Sequence, residues 1–359
     1  MSAYDVALIG TGEDPEDPSV EGFAMAYRHA DAYETVDDCE IVACADIVPE
    51  NAQAFADTFG VDEDGVFTDY EEMVATVEPD IVSVCVPPAL HAEIAVDVIH
   101  SGVVDAVHCE KPMDLTYGGA RLMTQEASRQ DVQLTFNHQR RFGKPFRNAK
   151  ELIEAGEIGD LERIEVTWGD LFDTGSHAVD LCGYLNDEHA AEWVIGQLDY
   201  RTEDVRFGVH QENQAFVGWE YANGVHGLLS TGPGSGLTDA AFHVHGTAGE
   251  LKIIPEGDAE LAVRPAGEED WEAVDCGGDG LHGPNYHERS IADAVGALRE
   301  NRESELRAKN AINTAEILFA AYQSVRKRGR VDMPLEIDDN PFEAMIEAGD
   351  LDPRPAAEE

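Results

Sequence analysis

Two clusters in this sequence hold residue types that can move protons and stabilise charge. The first is Cys109-Glu110-Lys111-Pro112, where an apolar strand, Ala106–Cys109, meets a helix whose expected N-cap is Thr116 and which runs through Leu122 and Met123 to Ala127. The carboxyl ends of such strands are where open α/β sheets hold their ligands, which puts Lys111 at the lip of a crevice. Taken alone, the tripeptide reads equally as a charged turn fixed by proline. The second cluster is Phe172-Asp173-Thr174-Gly175-Ser176-His177-Ala178-Val179-Asp180-Leu181, read as the start of a helix after the strand Ile164–Trp168. On a helix, Asp173, His177 and Asp180 fall on one stripe, so a carboxylate can orient the imidazole and bias its protonation. That pairing suits acid/base work near neutral pH. An Asp/His pair at this spacing also ligates zinc, and a histidine near a helix start also serves as a capping or core residue. No third ligand stands at a standard spacing.

The elements that position Lys111 follow a regular pattern. Val6–Ile9, Ile41–Ala45, Ile81–Val86, Ala106–Cys109 and Val132–Phe136 are short apolar runs with helical segments between them. This pattern predicts a doubly wound α/β domain with a parallel sheet buried on both faces. Gly10-Thr11-Gly12 ends the first strand, where a dinucleotide-binding fold makes its pyrophosphate turn, but position 15 carries proline instead of the third glycine. The next glycine, Gly22, opens the helix that follows, and Glu13–Glu21 reads as an acidic insertion. Asp46 closes the second strand, 24 residues beyond Gly22 and 34 beyond Gly12. The usual separation is about 20 residues, which favours counting from Gly22. A carboxylate there accepts hydrogen bonds from ribose hydroxyls and repels a 2′-phosphate. With Ile47-Val48-Pro49 following and no basic residue beside it, NAD is favoured over NADP.

Composition bounds the rest. At 359 residues with 43% hydrophobic content the chain is long enough for two globular domains. The expected division is a dinucleotide-binding domain over 1–138, an α+β domain over 139–335 and an acidic tail over 336–359. The 24 Lys and Arg against 73 Asp and Glu give a net charge of −49, which disfavours nucleic acid and anionic membranes as partners. The acids are interleaved with apolar periodicity and so read as a carboxylate coat on a packed protein, a composition that resembles haloarchaeal proteins. Cysteines at 39, 44, 85, 109, 182 and 276 include no C-x-x-C pair and read as small buried hydrophobes. No basic-then-apolar leader and no membrane-length apolar window occurs, so a cytoplasmic protein is expected.

Past Gly183 the pattern changes to alternating strands, at Val194–Arg201, Gln214–Tyr221, Val225–Thr231, Ala241–His245, Glu250–Pro255 and Glu260–Arg264, with a hairpin signal at Asn223-Gly224. A mostly antiparallel open sheet is predicted, accompanied by helices over Asn285–Arg299, Lys309–Arg328 and Pro341–Ala348. His243 and His245 project to one face of their strand, but no further ligand stands near them in the sequence and no metal is expected.

Together these motifs resemble the Gfo/Idh/MocA oxidoreductase family. The likeness runs over nearly the whole chain, through Thr68-Asp69-Tyr70-Glu71-Glu72-Met73, Pro79-Asp80-Ile81-Val82, Pro87-Pro88-Ala89-Leu90-His91, Arg141-Phe142, Gly156-Glu157-Ile158-Gly159 and His245-Gly246-Thr247-Ala248-Gly249. The resemblance implies roles. Lys111 matches the lysine that contacts the reacting hydroxyl, His177 the general acid/base and Asp173 the carboxylate beside it. Pro87 and His91 match positions at the nicotinamide end, Glu110 shares the strand end of the lysine, and Arg140 or Arg141 lines the substrate side. It also implies a sugar, cyclitol or related polyol as substrate, and a homodimer or homotetramer built on the second sheet. Loss of hydride from a carbinol carbon requires its hydroxyl proton to leave, and a neutral His177 can take it while Lys111 stabilises the developing alkoxide. Two other activities fit the same resemblance: a glycosidase that uses a tightly held NAD transiently, and a binding protein that senses dinucleotide and sugar. One departure stands out. Relatives carry a glycine-rich stretch between the strand and the Asp/His helix, whereas here Trp168-Gly169-Asp170-Leu171-Phe172 joins them almost directly, so Trp168, Asp170 or Phe172 is expected to take over part of the substrate wall.

Overall fold

The computed structural model describes residues 3–15, 24–206, 208–233, 236, 239–254, 260–281, 283 and 285–355. They form two compact units, one of residues 1–115, 119–139 and 284–311, the other of 116–118, 140–283 and 312–359.

In the first unit, β1 (Tyr4–Ile9), α1 (Met25–Glu34), β2 (Cys39–Ala45), α2 (Pro49–Phe59), β3 (Val66–Phe67), α3 (Tyr70–Val77), β4 (Ile81–Val84), α4 (His91–His100), β5 (Ala106–Cys109), α5 (Tyr117–Gln130) and β6 (Gln133–Phe136) alternate along the chain. The strands make one parallel sheet in the order β3-β2-β1-β4-β5-β6. All four residues of β4 and of β5 are buried, as a sheet covered on both faces requires. Local chemistry sets the helix ends. Pro49 opens α2 and a left-handed Gly60 closes it, and Asp69 caps α3 by accepting from the backbone N–H of Glu71 and Glu72.

The strand order reverses between β1 and β4, which opens a crevice at their carboxyl ends. Gly10 sits there with φ 81°, and a Cβ on it would lie 2.6 Å from Val86 Cγ1 and 3.0 Å from the Cys85 carbonyl oxygen. Only glycine fits that approach. The ladder of β4 ends at Val84, two residues short of the expected Val86, where the chain turns past Gly10. Helix Tyr286–Glu300 belongs to this unit, because its Ile291, Val295 and Leu298 pack into the core formed by Val6, Leu8, Ala26, Ala30 and Phe55.

The second unit contains α6 (Lys144–Glu154), β7 (Leu161–Trp168), α7 (Gly175–Leu185), β8 (Ala191–Asp199), β9 (Val205–Arg206), β10 (Val209–His210), β11 (Gln214–Tyr221), β12 (His226–Thr231), β13 (Phe242–Gly246), β14 (Gly249–Ile253), β15 (Leu261–Pro265) and β16 (Glu272–Val274). The helix of the first unit, Tyr286–Glu300, is α8 in chain order; α9 (Ala308–Lys327), β17 (Val331–Asp332) and α10 (Pro341–Glu347) complete the series. Nine strands form a sheet in the order β16-β15-β14-β13-β7-β12-β11-β8-β17. β7 and β12 run parallel and every other pair is antiparallel. The expected Asn223-Gly224 turn joins β11 to β12, with Gly224 at φ 84°. α9 buries Ile317, Leu318, Ala321 and Tyr322, and Gly196 of β8 lets the sheet approach it: a Cβ there would lie 2.7 Å from the Ala321 carbonyl oxygen. Among the described residues no helix is long and apolar enough to cross a membrane.

Candidate active site

The strand ends of the first unit bring most of the expected cofactor residues together. Asp46, just past β2, turns back to the glycine turn after β1. Its Oδ2 accepts from the Gly12 N–H at 2.9 Å and from Thr11 Oγ1 at 3.2 Å, and its Oδ1 accepts from the Val48 N–H at 2.9 Å. A carboxylate offers about four lone-pair sites, so the turn uses most of them and leaves about one for another donor. The sequence reading had both ribose hydroxyls on this carboxylate. The structure adds that Asp46 also builds the turn. Gly12 has φ 67°, and among the described residues an added Cβ would meet only Ala24 Cα, at 3.9 Å. Gly22 and most of the Glu13–Glu21 segment lie outside the described residues.

Beneath Lys111 lies a network of buried polar groups. Glu110 accepts from Asn137 Nδ2 at 2.6 Å, pairs with His29 Nε2 at 2.9 Å, and takes the Lys111 backbone N–H at 3.2 Å. Burial works to raise its pKa, but the hydrogen bond and charge of His29, the Lys111 ammonium and the Asn137 amide outweigh it and hold Glu110 well below the usual carboxylate range. His29 also reaches Ser83 Oγ at 3.2 Å, and Asn137 reaches His287 Nδ1 at 3.3 Å. Burial, reinforced by His29, lowers the His287 pKa to about 4. Glu110 is therefore an ionised buried anchor whose own contacts point into the protein, and Lys111, half-buried, stands directly on it.

His91 is buried as well, at the first turn of α4. Its Nδ1 lies 2.8 Å from the Pro112 carbonyl oxygen and its Nε2 2.8 Å from that of Val86. Carbonyls only accept, so a neutral ring serves one of them and an imidazolium serves both. Burial pulls the His91 pKa down while the two carbonyls pull it back up. Either way its ring nitrogens are directed at the backbone, which makes His91 a positioning residue for the Lys111-Pro112 segment. Pro87, by contrast, is exposed in the loop between β4 and α4.

In the second unit the helix carrying His177 starts later than the spacing suggested. α7 begins at Gly175, so Asp173 precedes it in the turn, where its carbonyl oxygen accepts from Ser176 Oγ at 2.7 Å. His177, 3% exposed, is the third helical residue, and its N–H donates to the Thr174 carbonyl at 3.1 Å. Asp180 faces a different partner: Arg141 donates Nε and Nη2 to it at 2.6 and 2.5 Å and Nη1 to Glu188. Of the expected stripe, His177 and Asp180 lie on the helix and Asp173 lies in the turn before it.

Arg141 is 1% exposed. Burial opposes its charge, but Asp180 and Glu188 outweigh this and push its pKa up. It ties α7 and the following loop to the segment before α6, a structural task beside the place on the substrate side that the resemblance implies for Arg140 or Arg141. Arg140 lies with its guanidinium 5.1 Å from the centre of the Trp168 ring, and Trp168 Nε1 donates to the Thr174 carbonyl at 2.9 Å. These two stack beside the turn that holds Asp173.

Asp170 is likewise committed to that turn. Its Oδ1 accepts from the N–H of Thr174 at 2.8 Å and of Gly175 at 3.3 Å, and its Oδ2 takes the Thr174 hydroxyl at 2.7 Å. It acts as the cap that starts α7. Gly175 must be glycine, because a Cβ there would lie 2.3 Å from the Asp170 carbonyl oxygen. Behind Asp170 sits Glu212, which the sequence reading missed. It is 4% exposed and accepts from the Leu171 N–H at 2.7 Å, Thr231 Oγ1 at 3.1 Å and the Tyr322 hydroxyl at 3.2 Å. Burial and the neighbouring Asp170 raise its pKa to about 7. Nothing in Gln211-Glu212-Asn213 marks a buried acid, since each of its partners lies on a distant segment.

Two family models match the chain. One, described as an oxidoreductase family with an NAD-binding Rossmann fold, matches residues 19–138, and the other, the C-terminal alpha/beta domain of the same oxidoreductase family, matches residues 165–333. Among curated proteins, a D-glucoside 3-dehydrogenase of Escherichia coli is 31% identical over 160 residues, covering 45% of this chain and 42% of the relative. A myo-inositol 2-dehydrogenase of Thermotoga maritima is 26% identical over 179 residues, covering 46% of this chain and 52% of the relative. The chain thus spans about half the length of these curated relatives. Among solved structures, a levoglucosan dehydrogenase in complex with NADH and levoglucosan superposes with a TM-score of 0.77 at 22% identity, covering 93% of this chain and 100% of that one.

Proposed function

The chain belongs to the Gfo/Idh/MocA family of oxidoreductases, and from that premise we propose that it is an NAD-dependent dehydrogenase of a sugar, cyclitol or related polyol. The observation that carries the reading is the carboxyl edge of the first sheet. There the Gly10-Thr11-Gly12 turn, the Asp46 carboxylate hydrogen-bonded to it, and Glu110-Lys111-Pro112 stand at the ends of β1, β2 and β5.

These residues fit a dinucleotide. Gly12, which carries no Cβ, lets a phosphate approach the backbone, and the remaining acceptor capacity of Asp46 suits a ribose hydroxyl while its charge opposes a 2′-phosphate. Bound NAD would supply a hydride acceptor. The protein supplies the rest: Lys111, held by Glu110 below and by the His91–Pro112 contact behind, stabilises negative charge on the substrate oxygen, and His177 takes the hydroxyl proton. Asp173 stands in the capped turn before His177, with Asp170 fixing that turn.

Support for a polyol substrate comes from the relatives, which are named for glucosides and inositol. The carboxylate coat supports adaptation to high salt. Exposed Ile195 and Phe216 on the neighbouring strands β8 and β11 support a self-associating sheet face. The test is an NADH-production screen over pentoses, hexoses and inositols at molar KCl, with NAD and NADP in parallel. The reading requires turnover of at least one polyol with preference for NAD. Cofactor binding without oxidation of any polyol would contradict it.

A further inference from the structure

One face of the second sheet brings together groups that sequence order keeps apart. His243 and His245 alternate on β13 and so share a face. In the sheet register His243 pairs with Glu165 of β7, and His245 pairs with Glu250 of β14. The two imidazole rings stack at 4.0 Å between centroids with their planes 31° apart. One carboxylate oxygen of Glu165 and one nitrogen from each histidine lie within 4.8 Å of one another. A tetrahedral zinc-class ion with ligands at about 2.0–2.2 Å holds its ligand atoms about 3.3–3.6 Å apart, so side-chain adjustments of about an ångström close the set.

The surroundings are those of a prepared ligand set. His245 Nε2 is buried, lies 3.5 Å from Glu165 Oε2, and has no hydrogen-bond partner among the described residues. Buried ring nitrogens are ordinarily satisfied, and an ion placed between Nε2 and Oε2 would satisfy this one. Glu250 reaches both rings, its Oε2 3.1 Å from His243 Nε2 and its Oε1 3.5 Å from His245 Nδ1. A carboxylate on the second nitrogen of an imidazole fixes the ring and raises its basicity as a ligand. Arg163 Nε holds Glu165 Oε1 at 2.7 Å, and Arg264 holds Glu250 Oε2 at 2.7 Å, so both carboxylates are oriented before any ion arrives. Imidazole nitrogens select zinc-class transition metals over magnesium and calcium, and the net charge of −49 raises the local concentration of any cation.

We propose that Glu165, His243 and His245 form a binding site for one divalent transition metal ion of the zinc class, which ties β7 to β13 and leaves one coordination position for water. The site lies on strands of the second sheet and uses none of the residues assigned to the dehydrogenase reaction.

The experiment uses the full chain, stripped with chelator and titrated with Zn²⁺ at molar KCl in the presence of excess Mg²⁺, which occupies the carboxylate coat. The expected result is one tight equivalent, a rise in melting temperature on adding Zn²⁺, and the visible bands of tetrahedral Co²⁺ on substitution. H245Q and E165Q should each weaken binding by roughly 100-fold or more and abolish the metal-dependent melting shift. Their melting temperatures in chelator, compared with the stripped parent, check that each variant folds. Weak binding of many equivalents, unchanged in both variants, would overturn the proposal, as would a Co²⁺ spectrum showing only the hexaaqua ion.

Discussion

The imidazole of His91 lies 2.8 Å from the carbonyl oxygen of Pro112 and, through its other nitrogen, 2.8 Å from that of Val86. One buried ring thus joins the loop after β4 to the residue that follows Lys111. Small errors in placing a reacting group cost as much as 100-fold in rate. We predict that His91→Phe, which approximates the ring but removes both nitrogens, lowers kcat by tenfold or more while the KM for substrate and the Kd for NADH stay within about threefold. A residue that merely filled space would leave kcat where it was.

Arg141 gives the opposite expectation. Its partner Asp180 is buried with it and Glu188 is partly exposed, and removing one member of a buried ion pair strands the other, at a cost of about 3–5 kcal/mol. Arg141→Ala should therefore lower unfolding free energy by about that amount in urea titration, with the KM of the folded fraction unchanged. A large rise in KM at unchanged stability would return Arg141 to the substrate wall.

Glu212 makes stability depend on pH. Its pKa rises from 4.5 in the unfolded chain to about 7 when folded, so between those values the folded state holds a proton that the unfolded state has released. Its contribution is therefore fully present below pH 4.5 and lost as pH rises through 7, a fall on the order of 3 kcal/mol. Glu212→Gln, which keeps an acceptor for the Leu171 N–H, should flatten that part of the profile. Equal slopes for parent and variant in unfolding measurements at pH 5 and pH 8 would contradict it.

How much of this was legible in the sequence depended on how far each residue's partner lies along the chain. The parallel sheet could be read because five of its six strands, all but β3, are local apolar runs, and the Gly10-Thr11-Gly12 turn and Asp46 stand at the ends of such runs. Local chemistry also revealed Asn223-Gly224. The structural role of Arg141 was not legible because the motif gives its position but not Asp180, 39 residues away, with which it pairs. Asp170 was read only as a candidate for the substrate wall, and its hydrogen bonds to the turn before Gly175, where α7 starts, add a capping role that the sequence did not show. Glu165 could not be joined to His243 and His245, since that needs the register of β7 against β13, which an alternating pattern does not specify. The shortest strands, β3, β9, β10 and β17, are two residues each and carry no period to detect.

The carboxylate coat predicts a salt requirement. At molar salt the Debye length falls to about 3 Å, so the mutual repulsion behind a net charge of −49 is largely screened. The melting temperature should rise between dilute buffer and molar KCl. A flat or falling trend would remove the high-salt adaptation from the account.

The central claim, that Lys111 and His177 carry a hydride-transferring dehydrogenation, is tested most directly by measuring NADH formation and NADH binding together in Lys111→Ala and His177→Ala, using the polyol that the parent protein oxidises. The account predicts that turnover falls by a factor of about 100 or more in each variant, while the Kd for NADH changes by less than about threefold. Turnover at the parent rate in both variants would contradict it.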